Sequence, residues 1–232
     1  MTKIKYQDSL VAFIDVLGFS NLVYDDDQSK IEKYFDYVLS DFKESLPSKG
    51  FKYILISDSI VISCQKTHKN LAELIFFLGK IQSQLFSKGI LLRGAVSFGE
   101  VYINKLNNII VGAGLINAFK LEKQAIFPRI IVDRKFILEF NTSTKLFIDS
   151  LNTTFKERYG EEDENIKLEK DGFLYINYAR KFTRQGPTLR NGNLPIVITL
   201  FKKHYYSHTY FEKYSWLLNK LLEEQLTDKQ TN

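Results

Sequence analysis

The chain has 232 residues, of which 44% are hydrophobic and 14% aromatic, enough to bury a substantial core. Its net charge of +5 suits an anionic ligand, and its single cysteine, Cys64, excludes an internal disulfide framework and a cysteine-based zinc site. No apolar run is long enough to span a bilayer, and the first residues lack the apolar core of a signal peptide. We therefore expect a cytoplasmic protein without membrane insertion.

The first 140 residues alternate between strand and helix patterns. In chain order, hydrophobic periodicity predicts a strand at 9–16, a helix at 28–46, strands at 51–57 and 59–65, a helix at 71–85, a strand at 90–104 bent near Gly99, its hairpin partner at 107–114, a helix at 114–125 and a strand at 128–133. This order predicts an α+β fold, a ferredoxin-like βαββαβ antiparallel sheet that is covered by helices on one face.

The pattern weakens after residue 140. We expect residues 1–140 to form the core and residues 141–232 to form a C-terminal extension packed on the same domain. Within the extension, 156–171 is charged and predicted to be an exposed excursion, and 210–226 is predicted to be an amphipathic helix. The run FKKHYYSHTYF, 201–211, interleaves aromatic and basic residues, but a basic edge is favoured over a stable nucleic-acid site.

Two acids occur in apolar surroundings at the ends of predicted strands. Asp15 closes the first strand, and Asp58 lies in the tight turn between the second and third. In a βαββαβ unit the first two strands run the same way, so both acids are predicted to lie at one edge of the sheet. Paired carboxylates there can hold Mg²⁺ or Mn²⁺. The turn from Leu17 through Gly18 and Phe19 to Ser20 offers backbone N–H groups to phosphates.

Four segments resemble the class III nucleotidyl cyclases. FIDVLGFS at 13–20 resembles the first-strand motif that carries one metal-binding Asp. ISDSIVIS at 56–63 resembles the hairpin that carries the second metal-binding Asp. LLRGAVSFGEVY and VGAGLINAFKLE resemble the later strand and helix. Together with the closing FPRIIVD, the combination is most similar to the bacterial pyrimidine cyclases of the Pycsar antiphage systems, over residues 9–133.

The resemblance implies a mechanism and an assembly. Asp15, Asp58 and the backbone carbonyl of Val16 would hold two Mn²⁺ or Mg²⁺ ions, and the ribose 3′-oxygen would attack the α-phosphorus with loss of pyrophosphate. It also implies a homodimer whose sites are shared between subunits. The cyclic nucleotide would activate a separate effector protein after phage infection.

The groups that would stabilise the transition state depart from the family pattern. In the family, an Asn and an Arg four residues later precede a Leu-Glu pair; here Ile116 and Lys120 occupy these positions, with Asn117 one place off. Lys120 could bind phosphate or be a solvated helix lysine. Arg93, a charge within an apolar strand, could bind phosphate or pair with Glu100 or another acid.

The positions that read adenine in the family are apolar here. They are Ile54, four residues before Asp58, and Ile109, three residues before Gly112. An isoleucine cannot hydrogen-bond a base edge, so a pyrimidine is expected. Tyr53 or Lys52 could line the pocket, since strand alternation lets only one of these neighbours face it. We favour UTP as the substrate and 3′,5′-cyclic UMP as the product. The alternatives are a cytidylate cyclase and a degenerate nucleotide-binding domain without turnover; a palm-type polymerase or diguanylate cyclase is least favoured, since no GGDEF-like hairpin occurs.

Overall fold

The computed structural model describes residues 4–24, 28–47, 50–140, 143–160, 164–179, 197–200, 202 and 208–230. Within them the strands are β1 (Gln7–Val16), β2 (Lys52–Ile56), β3 (Ser59–Gln65), β4 (Leu92–Asn104), β5 (Ile109–Val111), β6 (Ile130–Val132), β7 (Ile166–Leu168) and β8 (Leu174–Ile176). The helices are α1 (Phe19–Tyr24), α2 (Gln28–Leu39), α3 (Asp41–Ser45), α4 (His68–Ser87), α5 (Ala113–Glu122), α6 (Lys135–Phe140), α7 (Thr144–Tyr159) and α8 (His208–Gln230).

The strands form one sheet in the order β2-β3-β1-β4-β6-β8-β7, and β5 pairs with β4 beside this path. β1 lies between β3 and β4 and is antiparallel to both, and β2 is antiparallel to β3. This is the ferredoxin-like βαββαβ arrangement, so the predicted α+β fold is confirmed. β6 then pairs with β4 in parallel, and β8 and β7 continue the sheet.

The largest core lies on the first face of the sheet. Leu10, Ala12 and Ile14 alternate along β1 toward this face and pack with apolar residues of α2, α4 and α7. The period-two alternation of a strand explains why the intervening residues, Asp15 among them, point to the opposite face.

The second face is also covered by helices, so the prediction of a single covered face is wrong. α5 packs there through Ala118, in a cluster with Val11 and Val61. α8 covers the part nearer β6 and β8, where Trp216 packs against Ala95 and Tyr175. The site described below lies on this second face.

A glycine fixes the start of α5 against β4. Gly112 has a φ of +143°, and a Cβ placed on it would lie 2.1 Å from the Glu100 carbonyl oxygen. A side chain at this position would clash with backbone and adopt a strained conformation, so only glycine permits so close an approach. The helix that carries Lys120 and Glu122 is thereby held against the strand that carries Arg93.

Two elements differ from the predictions in their extent. The helix predicted at 28–46 is divided at Ser40, whose hydroxyl donates to the Asp36 carbonyl oxygen at 2.5 Å and competes with the regular backbone pattern. The charged region 156–171, predicted to be an excursion, contains the end of α7 and the edge strand β7.

A buried arginine joins the core to the extension. Arg129 precedes β6 and is fully buried, and both of its terminal nitrogens bind the Asp171 carboxylate before β8. Its guanidinium lies within 5.1–5.8 Å of the ring centroids of Phe127, Phe173 and, from α8, Trp216. One side chain therefore connects β6, the β7–β8 hairpin and the last helix.

Candidate active site

Two carboxylates meet where β1 ends and β3 begins. Asp15 is the penultimate residue of β1, and the pairing of Ile14 with Ile60 places it beside the first residue of β3. The Ser59 hydroxyl donates to Asp15 Oδ1 at 3.2 Å, and the Asp58 side chain is close enough to hydrogen-bond with Asp15. Topology thus brings together two acids that are far apart in sequence.

The environment of Asp15 disfavours its negative charge. Burial, the hydrogen bond with Asp58 and the charge of Asp58 together raise the pKa of Asp15 from 3.8 to about 6. The Arg93 guanidinium opposes this shift without cancelling it. Ionisation of Asp15 beside Asp58 therefore carries an electrostatic cost that a bound cation would relieve.

This raised pKa predicts a pH-dependent stabilisation by Asp15→Asn in the absence of metal. The folded chain retains the Asp15 proton between about pH 4 and about pH 6, whereas the unfolded chain does not, so stability from this group is lost as the pH rises through that window. The neutral amide of Asp15→Asn does not ionise, so the variant does not lose this stability as the pH rises. We expect the free energy of unfolding of Asp15→Asn to exceed that of the unmodified chain above about pH 6.5, with a difference that shrinks as the pH falls.

Urea denaturation in EDTA at several pH values measures this difference. Asp149→Asn is the matched control, because Asp149 is exposed on α7, which packs on the first face of the sheet. A stability difference for Asp15→Asn that stays constant across the pH range would contradict the raised pKa.

Arg93 joins the carboxylates to α5. Its register partner on β1 is Asp15, and its terminal nitrogen donates to Asp15 Oδ2 at 3.3 Å. Its Nε lies 2.7 Å from Oε1 of Glu122, a buried residue at the end of α5 whose pKa is raised by burial despite the nearby positive charges. The predicted ion pair with an acid is therefore observed, but Glu100 is not that acid, since it is the register partner of Asp8 near the opposite end of β1.

The turn that carries Asp58 is held in place by a side chain from the core on the first face of the sheet. Ser57 adopts a φ of +57°, which makes the connection between β2 and β3 tight. The hydroxyl of Tyr34, a buried residue of α2, donates to the backbone carbonyl oxygen of Asp58 at 2.8 Å. The helix between β1 and β2 therefore holds the second acid in place.

The turn after β1 leaves only part of its backbone available for the predicted phosphate-binding role. The Leu17 N–H donates to the Leu91 carbonyl oxygen at 2.8 Å, so the prediction that it contacts phosphate is wrong. The Phe19 ring packs edge-to-face against Tyr34 in the first-face core. Gly18, with a φ of +79°, and Ser20, which is exposed, lie at the start of α1.

Three other predicted site residues do not join Asp15 within one chain. Tyr53 pairs with Ile62 on the first face and packs against Phe42, so strand alternation directs it away from the carboxylates and its predicted pocket role is wrong. The Asn117 amide donates to the Phe98 carbonyl oxygen at 3.0 Å. Lys120 is exposed on α5 and makes no contact with either acid.

The donor set fits a hard cation that also binds substrate oxygens. Asp15 and Asp58 supply carboxylate oxygens, and the Val16 carbonyl lies at the adjacent end of β1. Within the described part of the chain, no group of three or more His, Cys, Asp or Glu side chains could hold a metal ion. Two carboxylates leave coordination positions for phosphate, as is typical of magnesium sites in nucleotide enzymes.

Several side chains at the site were not predicted from the sequence. Ser59 and Glu122 are close in sequence to residues that were singled out, so inspection of their neighbours could have found them. Tyr210 and Lys213 approach the site from α8: a Cβ on Gly18 would lie 3.6 Å from the Tyr210 hydroxyl, and the charge of Arg93 acts on Lys213. Nothing in the sequence indicates where α8 docks.

Comparisons with known proteins find similarity among solved structures. The catalytic core of a rhodopsin-guanylyl cyclase with converted specificity, in complex with ATPαS, is 14% identical with a TM-score of 0.47, over 76% of this chain and 98% of that chain. An adenylate/guanylate cyclase/hydrolase from Silicibacter pomeroyi is 14% identical with a TM-score of 0.44, over 74% and 95%. A bacterial light-regulated adenylyl cyclase is 15% identical with a TM-score of 0.45, over 78% and 95%.

No family model and no curated protein matches the sequence. Likeness at these identities concerns no more than the arrangement of secondary structure, and the functional proposal therefore rests on the residues of the site. In the described ranges, no helix combines the length and the apolar character that a membrane crossing requires.

Proposed function

We propose that this chain is a nucleotide cyclase that converts UTP into 3′,5′-cyclic UMP and pyrophosphate. The observation that carries the proposal is the contact between Asp15 and Asp58 at one edge of a ferredoxin-like sheet. Two neighbouring carboxylates, with Arg93 alongside, are suited to a divalent cation and the phosphates bound to it.

The chain would hold two Mn²⁺ or Mg²⁺ ions through Asp15, Asp58 and the Val16 carbonyl. When bound, such ions lower the pKa of a ribose 3′-hydroxyl and neutralise charge on a triphosphate. The Arg93 nitrogen that now donates to Asp15 could instead donate to a phosphate oxygen, because the ion pair with Glu122 would still hold the guanidinium in place. The backbone of Gly18 and Ser20 lies beside the same edge.

The reaction is an in-line displacement at phosphorus. The ribose 3′-oxygen forms a bond to the α-phosphorus while the bond from that phosphorus to the bridging oxygen breaks, and pyrophosphate leaves. The 3′-hydroxyl proton passes to water. No histidine or cysteine nucleophile is required.

We place the active enzyme as a homodimer with shared sites. Lys120 is exposed on the outward side of α5, near Ile116 and Phe119, which are 52% and 41% exposed. A cation and apolar side chains on one helix surface suit a second copy of the chain, whose carboxylates Lys120 would serve. Lys120 would then bind phosphate as a point charge, without the fork of an arginine.

The choice of a pyrimidine rests on two apolar positions. Ile54 is buried and lies on the same face of the sheet as Asp15, on β2, which is separated from β1 by β3. Its side chain offers no hydrogen-bonding group to the edge of a purine. Ile109 on β5 is equally unable to pair with a base. UTP is favoured over CTP by the resemblance to uridylate cyclases, with CTP as the alternative.

An assay with each of the four ribonucleoside triphosphates and Mn²⁺ tests the substrate. We expect cyclic UMP, identified by mass, to form at least about tenfold faster than the other products, since each unmet base contact is worth about 1.4 kcal/mol or more. A preference for ATP or GTP would refute the pyrimidine proposal, and a preference for CTP would refute the choice of uridine.

A degenerate cyclase-like domain is the second candidate. It is favoured by Ile116 and Lys120, which replace the Asn and Arg of the family pattern. In that case the same assay would yield no cyclic product from any nucleotide, while Mn²⁺ and nucleotide would still raise the melting temperature.

The proposed biology follows from the resemblance to antiphage cyclases. We place the enzyme in the cytoplasm, where its cyclic nucleotide would activate a separate effector protein after phage infection. A test is co-expression with an effector that cyclic UMP activates, under phage challenge, using Asp58→Asn as the inactive control.

A further inference from the structure

The first turns of α8 lie over the turn that follows Asp15. A Cβ placed on Gly18 would be 3.6 Å from the Tyr210 hydroxyl oxygen, and Tyr210 packs in one cluster with Leu17 and Tyr214. The rings of Tyr210 and Tyr214 stack with centroids 6.2 Å apart. The C-terminal extension, outside the segments that resemble cyclases, is thus adjacent to the predicted phosphate-binding turn.

Lys213 is directed toward the same place. It is partly buried, and its ammonium lies 5.5 Å from the centroid of the Tyr210 ring. Burial lowers the pKa of Lys213, and the positive charge of Arg93 lowers it further, so the two cations are near each other. Both therefore lie at the edge of the sheet where the acids meet.

The charge of Lys213 is not balanced by the described residues. Asp15 and Glu122 pair with Arg93, and none of the acids in the described ranges forms an ion pair with Lys213. A partly buried ammonium beside a guanidinium is unfavourable unless an anion joins them. A group with several negative oxygens, contacting both cations, would remove this cost.

We propose that α8 completes the active site within each chain, with Lys213 binding the triphosphate of the substrate and Tyr210 positioning the lysine. This rests on the proposed function, since a nucleotide at Asp15 and Asp58 would extend its phosphates along the turn at Gly18. Lys213 is thereby a binding residue in cis, whereas Lys120 is proposed to act from the other subunit.

Three variants test the role of Lys213: Lys213→Gln, Lys213→Arg and, as the control, Lys145→Gln on α7. Lys145 is exposed, and α7 packs on the first face, so the control removes the same charge away from the site. We expect Lys213→Gln to raise the KM for UTP about 10- to 100-fold, as for a lost charge-assisted hydrogen bond. Lys213→Arg should recover most of this loss, and the control should match the unmodified enzyme.

A lysine that only supports packing would give a different result. In one such result, Lys213→Gln would lower the melting temperature without changing the KM for UTP. In the other, Lys213→Gln would raise this KM and Lys213→Arg would not bring it back toward the value of the unmodified enzyme. Either result overturns the inference. Should Lys213→Gln not fold, the folded Lys213→Arg must keep a KM within a few-fold of the unmodified enzyme, and a larger rise would equally overturn it.

Two further measurements separate this inference from the proposed function. Calorimetry with inorganic triphosphate and Mn²⁺ requires no turnover, and binding should weaken at least about tenfold in Lys213→Gln. If that loss appears but no nucleotide is cyclised, the anion site stands and the cyclase proposal fails. If cyclisation occurs and triphosphate binding is unchanged, the inference fails alone.

Mixing chains tests whether Lys213 acts in cis. A mixture of Asp15→Asn and Lys213→Gln chains has no site with both residues intact, because each chain damages its own site. Activity should therefore stay at the level of the separate chains. Recovery in a mixture shown to contain hybrid dimers would place Lys213 in the partner's site and overturn the assignment.

Discussion

Asp15→Asn or Asp58→Asn should abolish cyclisation and leave the chain folded. Each change removes one charged ligand from the pair that would hold the metal ions, and such ions contribute several kcal/mol of charge stabilisation. We expect turnover to fall by at least about 1,000-fold, which corresponds to about 4 kcal/mol. Initial rates of cyclic UMP formation with saturating Mn²⁺ measure the loss.

The control must separate loss of chemistry from loss of structure. Asp149→Asn makes the same substitution at an exposed position on α7 and should retain full activity. Circular dichroism and the metal-free melting temperature of the site variants should match or exceed those of the unmodified chain. Near-normal turnover in either folded variant would end the two-carboxylate proposal.

Mixing Asp15→Asn chains with Lys120→Ala chains should restore activity that neither has alone. If Lys120 serves the partner's carboxylates, a hybrid dimer carries one damaged and one intact site. With free exchange, half of the dimers are hybrids with half of their sites intact, so about a quarter of the unmodified activity is expected.

Exchange must be demonstrated for the mixing experiment to be decisive. Two affinity tags on the two variants allow hybrid dimers to be purified and assayed directly. The exposure of Lys120, away from the acids of its own chain, is the structural reason to expect recovery. Purified hybrids without activity would argue that each site is contained within one chain.

The sequence predicted the sheet well because its signals are local. Apolar alternation marked β1, β3 and β4, and chain order alone placed Asp15 and Asp58 at the same edge. Local signals failed where a side chain competes with the backbone, as Ser40 does between α2 and α3. They also failed for β7, which is three residues long in a charged region and, among the strands of the described ranges, pairs with β8 alone.

The remaining parts of the site depend on tertiary contacts. Strand alternation required Lys52 and Tyr53 to face opposite sides of the sheet, but only the packing of Tyr53 against Phe42 decided which side each took. The Arg93–Glu122 pair depends on how α5 docks onto β4. The position of Lys213 depends on the docking of α8, for which no sequence periodicity gives a direction.

The ion pair between buried Arg129 and partly exposed Asp171 bears on the minimal folding unit of this protein. A chain cut after residue 140 would lose the carboxylate that binds both terminal nitrogens of Arg129, lose the rings of Phe173 and Trp216 beside its guanidinium, and leave β6 at the edge of the sheet. The same cut would uncover Ala95 and Ile131, which are buried in one cluster with Tyr175 and Trp216 of the extension. The segment that resembles a cyclase is therefore not expected to survive as an autonomous catalytic module, and transplanting it into a fusion protein would require the β7–β8 hairpin and α8 to accompany it.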